Sequence, residues 1–468
     1  MTIRARLGAS ARGTPRVPPP AAAGSQGAQG ARGAQGFQGA PGAQGFQGSV
    51  GAQGFQGATG TQVVADLAAL ALVPNSQNGA SVYVLDQGES YRLDTANTFV
   101  ASSPLIIAAL GGGRWFRRSK AYVVGNFFLW ICNTSGFVAN DALVGGFGPG
   151  QQAAGAVAPD ILIDLNALTA SEGSFLDGVT VDNLGNLWAL AFHHTPTGVT
   201  TWVHKLALAD VLQSGSPTPR VTITNSLANS GGQQVVFDKT NALYLSIFTV
   251  AGNTGCTIKK YGAASYATSG APTPEWTIVT TNVVPGEFQD ALFDAQGNFW
   301  VSCFTGGPDP SGGMQMVSSA QLAAGANPAL VAAVSWTGTN FLRPIGMAFG
   351  PTGLLWAANY AIGGGAASRL RAWVYQAAAS GNPAPAIDIA VTGANGLVAL
   401  AFTPEGDAWV IAQDDSKTVL LTAAQLAASG TVAAGRSLIV GPGFPQTIMF
   451  PNNPYRSGLV PSGVPLIP

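Results

Sequence analysis

One pattern returns five times across the carboxy-terminal three quarters of the chain and restricts the fold more than any other feature. GVTVDNLGNLWAL begins at Gly178, QVVFDKTNALYLS at Gln234, DALFDAQGNFWVS at Asp290, GMAFGPTGLLWAA at Gly346 and ALAFTPEGDAWVI at Ala399. Each copy is a short apolar strand, a turn rich in Gly, Asn or Asp, and a second strand with an aromatic near its start. The aromatics Trp188, Tyr244, Trp300, Trp356 and Trp409 are 56, 56, 56 and 53 residues apart, and NFFLWICN places Trp130 a further 58 residues upstream. A period near 50 residues with several short strands per unit predicts a β-propeller. Segments such as SGSPTPRVTI, SGAPTPEWTI and SGNPAPAIDI supply outer strands, where Pro and Gly are tolerated. The repeat around Trp130 lacks an inner strand before it, and PQTIMFPNNP near the chain end is an inner strand without a blade. Joining the two closes a ring of six blades, with Phe450 at the position that Val181, Phe237, Phe293, Phe349 and Phe402 hold elsewhere.

A second period occupies the N-terminal part. Glycine stands at every third position from Gly24 through Gly42 to Gly60, thirteen times without a miss. Only Gly fits at the axis of a collagen triple helix, so this spacing predicts three associated chains, in a rod roughly 110–120 Å long at ~3 Å per residue. Gln fills most third positions, Phe37, Phe46 and Phe55 recur every nine residues, and Pro41 is the one proline inside the repeat. With so little Pro, trimer-forming neighbours are expected to support the rod. A disordered Gly-rich linker is the competing reading.

Between the two lie residues 63–118. VVADLAALAL is expected to form a short amphipathic helix, and SVYVLD, ESYRLD and SPLIIAAL are expected strands, before Gly111–Gly113 and RWFRR. A DLAAL helix, a YRLD strand and a closing GRWFRR resemble small modules that recur in phage tail-fibre and tailspike proteins beside collagen-like repeats. The resemblance implies a compact trimeric connector of mixed α+β structure. The repeat pattern further on resembles NHL-type and gluconolactonase-like propellers, which implies architecture more than activity. The expected organisation is a flexible anchor at 1–23, a collagen-like stalk at 24–62, the connector at 63–118 and an all-β, six-bladed propeller at 119–468.

Composition narrows the function. Charged residues make up 9% of the chain against about 25% in ordinary soluble proteins, and the net charge is −1. That balance supplies no electrostatic case for nucleic acid or membrane partners. The cluster Arg114, Arg117, Arg118 and Lys120 is expected to be a solvated run at a domain end. No run of 18 apolar residues spans a bilayer, so no membrane insertion is expected, and the first residues lack the apolar core of a secretory signal. Cys132, Cys256 and Cys303 show no metal or disulfide spacing and are expected to be buried.

A lactonase-like propeller would hold a metal at the starts of its inner strands. Here those positions are Asp177, Gln233, Gln234, Gln289 and Asp290, then Ile345 and Val398, polar on one side and apolar on the other. Asp177 and Asp290 are the channel candidates, but no metal or other cofactor is expected. Asp182, Asp238 and Asp294 are explained as turn residues bonding their own backbone. His193 and His194 point to opposite faces of a strand, and neither a G-x-S-x-G nor a phosphate-binding loop occurs. The chain is therefore expected not to be an enzyme. The expected role is a virion fibre or decoration protein displaying propeller heads. It would be a homotrimer, anchored through its N-terminus to a virion or surface protein, with a propeller face meeting a cell-surface glycan or protein. Trp202, Tyr360, Trp373 and Tyr455 are the aromatics expected to be exposed for stacking. The alternatives are a bacterial cell-surface or extracellular collagen-like adhesin, and an extracellular propeller enzyme of lactonase or lyase type.

Overall fold

A computed structural model describes residues 62–73, 80–85, 89–96, 99, 101, 106–117, 128–134, 142–155, 158–168, 174–182, 184–195, 198–227, 230–249, 256–281, 287–304, 312–341, 343–360, 368–376, 379–403, 405–439 and 444–449. The chain divides into the units Met1–Gln56 and Gly57–Pro468, and every described residue belongs to the second. Gly24, Gly42, Gly60 and Phe450 lie outside the described residues, as does the Gly-X-Y repeat as a whole.

Residues 62–117 form a five-stranded sheet. Its strands are β1 (Gln62–Val64), β2 (Ser81–Val84), β3 (Glu89–Asp94), β4 (Ile106–Ala108) and β5 (Arg114–Arg117), in the order β1-β2-β3-β5-β4. The helix expected over VVADLAALAL is shorter than its sequence pattern. Val63 and Val64 pair in parallel with Tyr83 and Val84, as β-branched residues favour. The helix α1 (Leu67–Ala71) begins only after Asp66, whose carboxylate accepts from the Ala69 amide at 2.8 Å. Strand β5 sends adjacent side chains to opposite faces. Trp115 packs with Leu70, Val84 and Tyr91 in the core of this sheet. Phe116 joins Phe99 and Ile106 in a different core, shared with Phe128, Trp130, Cys132 and Met449. Phe99 stands 5.7 Å from Phe116 and 5.1 Å from Phe128, ring centre to ring centre.

From Phe128 onward the described residues are nearly all β and make six sheets, each with four antiparallel strands listed here from the innermost outward. Sheet I is Phe444–Met449, Leu129–Thr134, Leu143–Phe147 and Ile161–Asp164. Sheet II is Ser174–Val181, Leu187–Thr195, Gly198–Leu206 and Val221–Leu227. Sheet III is Ser230–Phe237, Leu243–Thr249, Cys256–Tyr261 and Trp276–Thr280. Sheet IV is Glu287–Phe293, Phe299–Phe304, Gly312–Val317 and Val334–Thr337. Sheet V is Pro344–Phe349, Leu355–Asn359, Arg369–Trp373 and Ile387–Thr392, and sheet VI is Leu397–Phe402, Ala408–Ala412, Lys417–Leu421 and Ser437–Leu438. Each innermost strand touches the next one, and that of sheet I touches those of both II and VI. The arrangement is propeller-like. The expected closing strand pairs with the strand around Trp130: Met449 stands opposite Trp130 and Ile448 opposite Ile131.

The outer strands are laced to their neighbours. Gly215 of sheet II accepts from the Asp164 amide and donates to the Leu162 carbonyl of sheet I, at 2.8 and 3.0 Å. Ser214 Oγ accepts from the Leu162 amide. Ser269–Gly270 binds the outer strand of sheet II in the same way, and Ser380–Gly381 that of sheet IV. Ser429–Gly430 continues the series on sheet V, extended there into a fifth, parallel strand, Gly430–Ala433. These glycines have φ between +143° and +155°, and a Cβ on any of them would meet nothing within 4 Å. Backbone conformation, not space, is what calls for Gly there. On sheet III the strap is Asn327–Leu330 instead.

Candidate functional site

Each innermost strand carries a β-bulge at the same height. In sheet II the pairing passes from Gly178–Leu190 to Leu176–Ala191, leaving Asp177 as the extra residue. The corresponding residues are Gln233 in III, Gln289 in IV, Ile345 with Gly346 in V, Val398 in VI and Gln446 in I. A bulge re-aims a side chain and is common beside functional sites. Four of the six positions carry a carboxylate or carboxamide, and the apolar pair Ile345 and Val398 is adjacent in the ring. Among the described residues no three His, Cys, Asp or Glu side chains are grouped as a metal site requires.

The two channel candidates differ in their surroundings. Asp290 is buried and its carboxylate is held by protein donors: Gln234 Nε2 at 2.7 Å, the Met347 amide at 2.7 Å and the Ala291 amide at 2.8 Å. It ties the innermost strands of sheets III, IV and V together. The neighbouring contact is as close, since a Cβ on Gly346 would stand 2.5 Å from Ala399 Cα. Asp177 is half-buried beside Cys132, whose thiol is pushed up by burial and then by the Asp177 charge. Cys303 is buried as expected, and its thiol is also pushed up by burial.

The strand aromatics Trp130, Trp188, Tyr244, Trp300, Trp356 and Trp409 are all buried. Asp182 and Asp294 accept from turn amides and from the indoles of Trp188 and Trp300, each at 3.0 Å, while Asp238 accepts from the Tyr244 hydroxyl at 3.2 Å. Of the aromatics expected at the surface, Trp373 is instead buried in the core shared by sheets IV and V. Trp202 and Tyr360 are half-buried. Tyr360 donates to Asp414 at 2.9 Å, and burial, then Asp414, pushes its phenol up. Tyr455 lies outside the described residues.

A cleft between sheets III and IV, on the side of the Asp turns, has a volume of about 390 Å³ and is lined by Tyr244, Lys239, Lys260, Phe293, Gln296 and Leu322. The equivalent clefts on either side are plugged by tyrosines. Tyr266 sits 5.3 Å from Trp188, and Tyr375 sits 4.6 Å from Phe349. Between III and IV both partners are smaller: Tyr244 replaces Trp, and Leu322 occupies the plug position. Sequence reading missed two further polar residues, one within a sheet and one at the start of another. Lys259 reaches Asn225 at 2.6 Å and is pushed down by burial. The adjacent pair Lys259–Lys260 was the available clue, since neighbours on a strand face opposite ways. Arg343 is buried with φ +48°, and no sequence signal marks it.

Residues 16–64 match the collagen triple helix repeat (20 copies) family. Such a repeat implies self-association into a trimer. Comparison with curated protein sequences gives no match. Among solved structures, the chain is similar to a protein of unknown function from Bacteroides caccae, at 10% identity over 69% of this chain and 98% of that one, with a TM-score of 0.46. It is similar to a streptogramin B lyase at 12% identity over 80% and 93%, TM-score 0.40. A luciferin-regenerating enzyme is similar at 11% identity over 58% and 78%, TM-score 0.36. The expectation that the chain is not an enzyme is corrected by these findings: structures similar to it include a lyase and a luciferin-regenerating enzyme. No helix among the described residues is long and apolar enough to cross a membrane.

Proposed function

We propose that the chain is a fibre-type attachment protein, in which a trimeric collagen-like stalk carries six-bladed propeller heads that meet a host or surface ligand. The observation that carries this reading is the unbroken glycine period, matched by the collagen repeat family, in the same chain as a propeller-like set of sheets. Six blades are supported by the six sheets, each built on four antiparallel strands and two of them extended by a fifth, and by contacts that pass from each innermost strand to the next until they return to the first. The domain limits follow: an anchor at 1–23, the stalk at 24–62, the connector at 63–118 and the head at 119–468. A virion setting is supported by the connector, whose α1, β3 and β5 coincide with the DLAAL, YRLD and GRWFRR segments of the tail-fibre resemblance.

Sedimentation of the full chain at micromolar concentration tests the stalk, and a trimer is the expected result. Electron microscopy of native particles and cells, labelled with antibody against the head, tests the setting. Label along fibres on virions is expected. Label on bacterial surfaces alone would replace the virion reading with the adhesin.

A further inference from the structure

The clefts between successive sheets from II to VI share one frame. In each, the aromatic of a second strand packs in one core with the last aromatic of the next innermost strand: Trp188 with Phe237, Tyr244 with Phe293, Trp300 with Phe349 and Trp356 with Phe402. A residue that follows the third strand then plugs the cleft. Tyr266 stands edge-on to Trp188 at 5.3 Å and to Phe237 at 6.2 Å, and its hydroxyl donates to the Asn241 carbonyl. Tyr375 stands edge-on to Trp300 at 5.9 Å, and the adjacent Gln376 donates at 2.8 Å to the carbonyl of Gly353, the counterpart of Asn241. Between V and VI the plug is Leu426, but it meets the larger ring of Trp356. Between III and IV a leucine plug and the smaller Tyr244 coincide. Leu322 is held where it is by its helix, Ser319–Ala324, which begins with reciprocal bonds between Ser318 and Gln321. Gln321 also donates to the Val331 carbonyl at 2.8 Å. The resulting cleft of about 390 Å³ falls in the ~300–1,000 Å³ range of small-molecule sites.

We infer that the cleft between sheets III and IV binds a phenol ring supplied by another molecule, seated as Tyr266 and Tyr375 are seated in the clefts on either side. Tyr244 and Phe293 line it and offer the edge-to-face contacts that aromatic rings prefer. Gly297, the counterpart of Asn241 and Gly353, also lines it, and its carbonyl is the acceptor for the phenol hydroxyl. The rim suits a neutral ring better than an anion. Asp238 and Asp294 line the cleft beside Lys239 and Lys260, and Glu275 holds Lys260 at 2.9 Å. The inference goes beyond the attachment role and does not depend on the stalk, because every residue it uses belongs to the head.

Saturation-transfer NMR on the full chain with 4-methylphenol, the tyrosine side chain as a free molecule, tests this. A dissociation constant of about 1 mM is expected for a ligand of this size. Toluene, which lacks the hydroxyl, should bind at least about threefold more weakly, the share of one hydrogen bond. Leu322→Tyr supplies the plug found in the neighbouring clefts, and Tyr244→Trp recreates the pairing between V and VI. Each should weaken binding at least about tenfold, and the second variant carries the test if the first does not fold. N-acetyltyrosinamide separates the sources of the ring: binding equal to that of 4-methylphenol identifies a tyrosine of a partner polypeptide, and binding of 4-methylphenol alone identifies a small phenol. No binding of 4-methylphenol, or binding undiminished in both variants, would overturn the site, and equal binding of toluene would overturn the phenol. Sedimentation is read separately, so a monomeric chain that binds 4-methylphenol would overturn the trimeric stalk and leave this site standing.

Discussion

Sheets II, III and IV differ from sheets V and VI at one position, the residue that follows the innermost strand. It is Asp182, Asp238 and Asp294 in the first group, and Gly350 and Thr403 in the second. The turn itself does not change. In all five, this residue and the one three further on make the same two backbone hydrogen bonds, at 2.8–3.0 Å. In all five, that second residue has a positive φ: Gly185, Asn241, Gly297, Gly353 and Gly406. The aspartate is thus an addition to a turn that the backbone already makes. What it adds is an acceptor for the buried aromatic of the second strand. In sheet V Gly350 stands at that position with no side chain to accept, and the buried Trp356 Nε1 has no partner among the described residues. There an added Cβ on Gly350 would stand 2.6 Å from that nitrogen. The most conspicuous residue of the repeat is therefore dispensable to its geometry, whereas the left-handed residue and the aromatic recur in every copy.

The largest expected effect comes from separating the two groups. The innermost strand of sheet I touches both II and VI, so ending the chain at Gly443 opens the ring between them. The head should lose more than about 3 kcal/mol, the upper end for a point change. Thermal unfolding of heads ending at Gly443 and at Pro454 makes the measurement, and equal melting temperatures would mean the ring closes elsewhere.

Asp294→Ala should cost about 3 kcal/mol, because it strands the buried Trp300 indole together with turn amides. Denaturant unfolding would show it as a lowered midpoint at constant slope. A loss below about 1 kcal/mol would erase the distinction between the groups.

The first group also carries all the histidines, each in sheet II. His204 is buried, its Nδ1 is 3.0 Å from Thr222 Oγ1, and burial holds it at about 4, below the ordinary 6.5. Between those values the unfolded chain binds the extra proton. The stability His204 contributes is therefore complete above pH 6.5 and falls as the pH drops toward 4. About 2 kcal/mol should disappear between pH 7 and 5. His204→Gln should flatten that part of the profile, and an unchanged slope would assign the loss to other groups.

The smallest effect belongs to sheet VI. Thr403 Oγ1 is buried without a partner among the described residues, so Thr403→Val should leave stability unchanged or raise it by up to about 1 kcal/mol. A clear loss would show that the hydroxyl is bonded after all.

These contrasts also mark how far the sequence could be read. The aromatic spacing, the turns and the unpaired strand near residue 448 are local, and they predicted the sheets and their closing pair. The straps were visible as SGSP, SGAP and SGNP, but their partners lie in the preceding sheet. Local reading therefore took them for parts of their own outer strands, and it missed Ser429–Gly430, where the proline pattern is absent. The bulges depend on register between strands, which side-chain alternation alone does not reveal, although the residues at them were named. The connector looked separate because its boundary is a change of composition. Phe99 and Phe116 nevertheless complete the first core of the head. A head fragment starting at residue 119 should accordingly melt below one starting at residue 63.

The serine–glycine straps acquire a further meaning once three chains share one triple helix. Tethered copies face one another at an effective concentration in the millimolar range when the link is short. An unpaired outer strand at that concentration would meet its twin continually and exchange strands with it. Because each strapped outer strand is already bonded to the next sheet of its own ring, the crowding that multivalency creates finds those ladders occupied.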